Sequence, residues 1–456
     1  MPQSSVNPAT GDTLAVVTDH DDAQVEQLMA RAAAAAPRWA ATPLDARLAV
    51  LRRVADALDA EREPLARLAT LEMGKPIQQG RDEVAKCAHA CRFYAGEAPR
   101  MLAPEHVLRD GHDDGAVHYH PLGILLAIMP WNFPYWQAIR AAAPALAAGN
   151  AVMLKHASNV PQCALAIERL FAEAGAADGA FTTLLIGSAR VGALIDDARV
   201  AAVTLTGSEA AGRDVGGRAG RAIKPCVLEL GGSDPFIVLA SADVAAAASM
   251  AARARCINNG QSCIAAKRFI VVDDVYGEFT DRLAAIMRDL RVGDPLDDKV
   301  DVGPLATPSI RREVDDQVRR TVAAGARIVT GGTVPQGSGN FYAPTVLADV
   351  PRDSAAAREE IFGPVAPVFR VADAAEALAL ANDTTFGLGA SVWTRDAAEA
   401  RQFAEQLQAG SVFVNAMVAS DPRFPFGGVK ASGIGRELAR EGLRAFVNVK
   451  TVRGSA

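Results

Sequence analysis

Apolar positions near the N-terminus recur at helical intervals. Residues 21–40 and 43–73 both carry this pattern, with Asp21–Asp22 and Thr42–Pro43 as plausible helix starts. The stretch EVAKCAHACRFYAGEA at 83–98 has the same period. The sequence therefore predicts a series of amphipathic helices in its first hundred residues.

Further along the chain, short apolar runs alternate with helical stretches. The predicted strands are 123–130, 151–156, 181–187 and 201–208, and the predicted helices between them are 136–148, 160–175 and 189–197. A second series of the same kind follows the stretch ELGGSDPFIVL. Strands that alternate with helices favour parallel sheets, so we expect an α/β fold with two such domains.

Two β segments stand apart from these series. Residues 106–122 predict a polar hairpin with its turn at 110–115, and the tail RAFVNVKTVRG alternates like a strand. They could form an arm that pairs with another subunit. Alternatively, each could be an edge hairpin of its own domain.

Composition narrows the range of functions. A chain of 456 residues favours two or three domains. The net charge of −6 gives no electrostatic reason to bind nucleic acid or an anionic membrane. Neither a signal peptide nor a clean membrane span is visible in the sequence, so we expect a cytoplasmic protein.

The six cysteines are too few for a disulfide framework and lack metal-ligand spacing, so no metal is expected. Cys263, in NNGQSCIAAKR, is the candidate nucleophile because Gly260 and Ser262 permit close backbone approach. The alternative for Cys263 is inert packing.

Two further residues could assist a nucleophile. Glu229, in LELGGSDPF, follows an apolar segment, and burial would raise its pKa into the range of a general base. Asn132, in MPWNFPYW, could donate to an oxyanion. The alternatives are a solvent-facing glutamate at a strand end and an asparagine that caps a turn.

A dinucleotide signal is present in TLTGSEAAGR. Gly207 and Ser208 follow a strand and open a helix, whose N-terminus can hold a pyrophosphate, although the segment lacks the G-x-G-x-x-G pattern. Lys155 stands at the carboxyl end of another predicted strand, where α/β sheets bind ligands, or is simply a solvated lysine.

Taken together, these segments resemble the aldehyde dehydrogenase superfamily from near residue 5 to the C-terminus. Within the superfamily, the chain is most similar to the bacterial succinate-semialdehyde dehydrogenase branch. The matching segments, in order, are NPATG, LEMGKP, MPWNFP, LKHASNVP, TLTGS, LELGGSDP, NNGQSC, EEIFGPV, TFGLGASVWT and PFGGVKASGIGRE.

The resemblance implies two parallel-sheet α/β domains, one Rossmann-like, and a β arm that builds a homodimer or homotetramer. The implied boundaries are 1–105 and 121–230 for the cofactor-binding domain, 231–415 for the catalytic domain, 106–120 and 438–456 for the arm, and 416–437 for a return to the cofactor domain.

The resemblance also implies roles in aldehyde oxidation. Cys263 would attack the aldehyde, Asn132 and the Cys263 backbone N–H would hold the oxyanion, and Glu229 would activate the water that hydrolyses the thioester. The implied cofactor-binding residues are Trp131, Asn132, Lys155, His156, Ala157, Ser158, Gly207, Ser208, Leu230, Glu360 and Phe362.

Cofactor and substrate preference depend on a few positions. The family often has glutamate where this chain has Ser158, so the neutral side chain favours NADP over NAD, with NAD still usable.

Arg140 matches an arginine that binds the substrate carboxylate in similar enzymes. The family's second such arginine is Ile257 here, and Arg423 is a candidate substitute. We therefore expect oxidation of succinate semialdehyde, with glutarate semialdehyde or neutral aliphatic aldehydes as the alternative substrates.

Overall fold

The computed structural model describes residues 3–109 and 114–454. Strands and helices are numbered in chain order. At the start of the chain, β1 (Gln3–Val6) pairs with β2 (Thr13–Val17) in an antiparallel ribbon. Helices then follow: α1 (Asp22–Ala41), α2 (Leu44–Ala60), α3 (Arg62–Met73) and α4 (Ile77–Leu102).

The helical pattern over 43–73 forms two helices rather than one. Glu61 separates α2 from α3, and its backbone (φ −100°, ψ 19°) departs from helical geometry. The start of α1 is as predicted, because Asp21 and Gln24 form a reciprocal capping box there.

A six-stranded sheet contains the first predicted α/β series. Its strand order is β17–β9–β8–β5–β6–β7, parallel except for β17. Its strands are β5 (Ile124–Met129), β6 (Ala151–His156), β7 (Phe181–Thr183), β8 (Val200–Thr206), β9 (Cys226–Glu229) and β17 (Gly433–Ile434). Its helices are α5 (Pro134–Ala148), α6 (Pro161–Glu173), α7 (Val191–Asp196) and α8 (Glu209–Arg221).

A seven-stranded sheet contains the second series, in the order β12–β13–β14–β11–β10–β15–β16. Only the β12–β13 pair is antiparallel among these strands. The strands are β10 (Asp234–Val238), β11 (Ala266–Val272), β12 (Arg327–Thr330), β13 (Thr345–Ala348), β14 (Val365–Val371), β15 (Gly389–Trp393) and β16 (Ser411–Val414). The helices are α9 (Val244–Cys256), α10 (Asp273–Asp289), α11 (Pro308–Ala323), α12 (Ala355–Arg358), α13 (Ala374–Asn382) and α14 (Ala397–Gln406).

The two isolated β segments come together in a third sheet. β3 (Glu105–Arg109), β4 (Asp114–Pro121) and β18 (Val447–Gly454) form an antiparallel sheet with β4 in the centre. Part of the predicted turn, residues 110–113, lies outside the described residues. Just before β18, α15 (Ala439–Arg444) packs against α4 and α5.

Helix α5 is buried along its whole length, between the six-stranded sheet and the N-terminal helices. This burial fixes the loop before α5 relative to the sheet. The predicted α/β fold with two mainly parallel sheets is thus confirmed, whereas the exact domain boundaries stay a prediction. Within the described residues, no helix is long and apolar enough to cross a membrane, and a cytoplasmic location stays a prediction from the sequence.

Candidate active site

Cys263 lies in a tight turn just before β11. A short 3-10 segment, Ile257–Gly260, precedes this turn and contains consecutive residues with positive φ: 55° at Asn258, 59° at Asn259 and 77° at Gly260. Asparagine and glycine are the residues that best tolerate this left-handed geometry. The motif NNG therefore has a local structural reason to precede the cysteine.

Side-chain amides fix this turn to distant parts of the chain. The Asn258 amide donates to the carbonyls of Asn132 (2.8 Å) and Gln261 (2.9 Å). The Asn259 amide donates to the carbonyls of Gly74 and Pro304. The Cys263 turn and the loop after β5 are consequently held as one unit.

Asn132 is buried beside this turn, at the N-terminal side of α5. Its Nδ2 donates to the Gln261 carbonyl at 3.1 Å, and an amide nitrogen has a second hydrogen to offer. Asn132 and Cys263 both line the same cavity. The geometry therefore brings the predicted nucleophile and the predicted oxyanion donor together.

Lys267 holds the Cys263 turn through hydrogen bonds to its backbone. Its buried ammonium donates to the carbonyls of Ser262 (2.8 Å) and Cys263 (2.7 Å), and forms an ion pair with Glu360 at 3.1 Å. Glu360 also accepts from the Gly232 N–H. A Cβ on Gly232 would lie 2.7 Å from the Cys263 carbonyl oxygen, so this glycine is needed for close approach.

Burial dominates the electrostatics of the nucleophile. It raises the pKa of the Cys263 thiol to about 12, against the favourable charges of Lys267 and Arg140. Glu360 and Glu229 raise this pKa further. The thiol therefore needs a base or a change in its surroundings before it reacts as a thiolate.

Two cavities meet at Cys263. The first has a volume of about 440 Å³ and extends towards the six-stranded sheet. The second has a volume of about 160 Å³ and lies between α4, α5 and the loop after β16. Cys263 thus contributes to the walls of two cavities, an arrangement that suits a reaction between two bound molecules.

The first cavity gathers seven of the predicted cofactor residues. Trp131 and Phe362 meet there edge to face, with their ring centroids 5.8 Å apart. The full set in its wall is Trp131, Asn132, Gly207, Ser208, Leu230, Glu360 and Phe362.

The remaining predicted cofactor residues lie around the end of the neighbouring strand β6. Lys155 is only 8% exposed, and burial lowers its pKa while Asp19 opposes the shift. His156 bonds the Pro134 carbonyl at 2.8 Å, and burial lowers its pKa to about 4, which keeps the ring neutral. Ala157 is half-buried and Ser158 is exposed in the following turn. None of these four residues lines the first cavity.

The chemistry of this region fits a dinucleotide. The Gly207–Ser208 turn opens α8, and the Ser208 hydroxyl accepts from the Ala211 N–H as an N-cap. Gln137 Oε1 and Gln317 Oε1, from residues of the first cavity wall, are buried without a partner among the described residues. The N-terminus of α8 and the buried Lys155 are suitable partners for phosphate groups. The two unpaired amide oxygens are suitable acceptors for the N–H groups of a carboxamide.

Glu229 lies at the end of β9 but lines neither cavity. It is 2% exposed, and both carboxylate oxygens lack a hydrogen-bond partner within the described chain. Burial and the neighbouring Glu437 raise its pKa well above the usual range, while Arg140 and Arg436 oppose this. A deeply buried, unpaired carboxyl of this kind is a candidate proton acceptor.

The two predicted substrate arginines have different surroundings. Arg140 is buried, forms an ion pair with Glu437, donates to Thr206 and lies over the Phe426 ring at 4.9 Å. It also lines the second cavity. Arg423 has a side chain 68% exposed, is paired with Asp421, and lines neither cavity.

Sequence analysis missed several residues of this site. Lys267 and Asn258 hold the Cys263 turn, Glu437 balances Arg140, and Lys86 lines the second cavity. Of these residues, only Asn258 was indicated by the local sequence, through the motif NNG. No group of three or more His, Cys, Asp or Glu side chains in residues 3–109 and 114–454 is arranged to hold a metal ion.

The chain is similar to known proteins along nearly its whole length. Residues 2–452 match the sequence model of the Aldehyde dehydrogenase family. The chain is 52% identical, over 99% of both chains, to succinate-semialdehyde dehydrogenase (NADP+) 1 of Mycobacterium tuberculosis. It is 50% identical to succinate-semialdehyde dehydrogenase (NADP+) of Mycobacterium leprae, over 98% of this chain and 99% of that protein. Succinic semialdehyde dehydrogenase of Streptococcus pyogenes, solved with NADP+, superposes with a TM-score of 0.96 at 35% identity over 99% of each chain.

The raised pKa of Glu229 predicts a pH-dependent hydrolysis step. With p-nitrophenyl acetate, Cys263 should be acylated in a burst, and Glu229 should then assist hydrolysis. Glu229→Gln is expected to keep a burst of one p-nitrophenolate per active site but slow turnover roughly 100-fold or more. In the wild type, turnover should rise with pH as the Glu229 carboxyl loses its proton, and stopped-flow absorbance measures both phases. Equal turnover and an unchanged pH profile in Glu229→Gln would contradict this role, and Cys263→Ser is the control without a burst.

Proposed function

Because the chain belongs to the aldehyde dehydrogenase family, we propose that it oxidises succinate semialdehyde to succinate with NADP+. The observation that carries this proposal is the meeting of two cavities at Cys263, one beside a helix N-terminus and one lined by the buried Arg140 and the half-buried Lys86. The relatives named above act on this substrate according to their names.

In the proposed reaction, the Cys263 sulfur attacks the aldehyde carbon and forms a thiohemiacetal. The second hydrogen of the Asn132 amide and the Cys263 backbone N–H stabilise the developing oxyanion. When bound in the first cavity, NADP+ would supply the acceptor for the hydride that leaves this carbon. Glu229 then takes a proton from water, which attacks the resulting thioester and releases succinate and the free thiol.

Cofactor preference is proposed to follow from the end of β6. Lys155 supplies a positive charge, and the exposed Ser158 supplies a small neutral group where a carboxylate would repel a 2′-phosphate. NADP is the proposed cofactor on this basis, with NAD as a weaker one.

One observation favours the broader alternative. Ile257 lines the second cavity at the position where the family resemblance implies a second arginine, and Arg140 is already paired with Glu437. A weaker hold on a carboxylate would admit glutarate semialdehyde or neutral aliphatic aldehydes.

Initial rates decide between these substrates. NADP and NAD are crossed with succinate semialdehyde, glutarate semialdehyde and propanal, and the appearance of reduced nicotinamide is followed. We expect the highest kcat/KM for succinate semialdehyde with NADP. Equal kcat/KM for propanal would refute the proposed substrate and leave a general aldehyde dehydrogenase.

Ser158→Glu tests the cofactor proposal. A carboxylate beside the 2′-phosphate should lower kcat/KM with NADP roughly 100-fold, through like-charge repulsion, while kcat/KM with NAD changes far less. Ser158→Gln, similar in size but neutral, is the matched control and should retain NADP. The same loss in both variants would assign the effect to size and reject the charge argument.

We also propose that the arm joins two or four copies. β18 is an edge strand with exposed Val449 (60%) and Val452 (48%), and β16 is the edge of the seven-stranded sheet with exposed Val414. Exposed edge strands with apolar side chains favour pairing with another chain.

Light scattering tests this assembly. The mass should correspond to two or four chains of 47.7 kDa. Val449→Asp combined with Val452→Asp should shift it towards one chain, because buried carboxylates oppose the contact. A wild-type mass of one chain at micromolar concentration would refute the proposal.

A further inference from the structure

The second cavity contains two cations with different electrostatic surroundings. Arg140, on α5, is paired with the buried Glu437. Lys86, on α4, has no ion pair with any carboxylate in the described part of the chain. Glu83, another residue of this cavity, is already paired with Lys75. Asp82 also lines this cavity and is exposed, and neither it nor Glu83 forms an ion pair with Lys86, so this cation has no direct counterion among the described residues.

Two contacts hold the Lys86 ammonium in place. It donates to the Ser420 hydroxyl at 2.6 Å and lies 4.4 Å from the centroid of the Trp136 ring. An ammonium has three hydrogens, so the bond to Ser420 leaves others for a ligand. Ser420 also lines the cavity, which places a hydroxyl beside the cation at the same wall.

Burial makes this cation responsive to a bound anion. Burial, with a smaller contribution from Arg140, lowers the pKa of Lys86 to about 8, while Glu83 and Asp421 oppose the shift. A desolvated charge without a counterion is unfavourable, and a bound carboxylate would relieve that cost.

The rest of the cavity suits a short aliphatic chain. Its volume of about 160 Å³ equals that of about five water molecules in the liquid. Phe133, Trp136 and Phe426 provide apolar walls, and Cys263 stands at the junction with the first cavity. A small molecule can therefore extend from the nucleophile along apolar surface to a cationic end.

We propose that Lys86, assisted by Ser420, binds the terminal carboxylate of the semialdehyde and determines the preference for an acidic substrate. This inference rests on the proposed function. Ile257, which lines the same cavity, carries no charge. Lys86, on α4, therefore supplies the positive charge that is missing at position 257.

The test compares succinate semialdehyde with butanal, which has the same number of carbons but no carboxylate. In Lys86→Met, the ratio of kcat/KM for the acid over the neutral aldehyde should fall roughly 10- to 100-fold, mainly through KM for succinate semialdehyde. Lys86→Arg should keep most of the preference. Lys299→Met removes an exposed lysine outside the cavity and should leave both rates unchanged.

The pH profile gives a readout that a merely structural role would not produce. The wild-type preference for succinate semialdehyde should decline as pH rises through about 8, because Lys86 loses its proton. In Lys86→Arg the preference should stay level, since arginine remains charged. If Lys86→Met folds poorly, Lys86→Gln, which keeps a donor for Ser420, gives the same ratio.

The outcomes separate the two proposals. A wild type that prefers succinate semialdehyde, with the same preference in Lys86→Met and Lys86→Gln, overturns the role of Lys86 and leaves the proposed function intact. A wild type with no preference over butanal overturns both. A fall in the ratio that Lys86→Arg restores supports both.

Discussion

The left-handed turn before Cys263 is the constraint on which the rest of the site depends. Three successive residues with positive φ direct the chain sharply into β11. This costly geometry persists because Asn258, Asn259 and Lys267 bond backbone carbonyls on several elements. The turn therefore holds the Cys263 backbone at the junction of the two cavities. Binding of cofactor or substrate then need not rearrange this backbone.

Several buried charged side chains lie near Cys263. Glu437 balances Arg140, and Glu360 balances Lys267, so both buried cations that affect the Cys263 thiol have partners. Glu229 has none among the described residues, and burial together with the neighbouring Glu437 raises its pKa. In the proposed reaction it therefore accepts a proton only after it has ionised. The paired charges stabilise the structure, whereas the unpaired Glu229 is a candidate for a role in catalysis.

Much of the fold could be predicted from periodicity. The strand–helix alternation at 123–208 gives β5, β6 and β8 with nearly the predicted bounds, because strands buried on both faces read as continuous apolar runs. The run at 181–187 forms a strand only to Thr183, since pairing with β6 ends there. Local sequence cannot report where a neighbouring strand stops.

The sequence by itself determined which residues could react: Cys263 after NNG, Asn132 after MPW and Glu229 before a glycine pair. The resemblance of ordered motifs gave their expected roles. Only the tertiary structure decided which charges are compensated, because ion pairs such as Arg140–Glu437 join residues about three hundred positions apart. It also decided that Lys86, on α4, lies against a cavity that Cys263 shares. Side-chain chemistry is local, whereas burial and pairing depend on how distant segments pack.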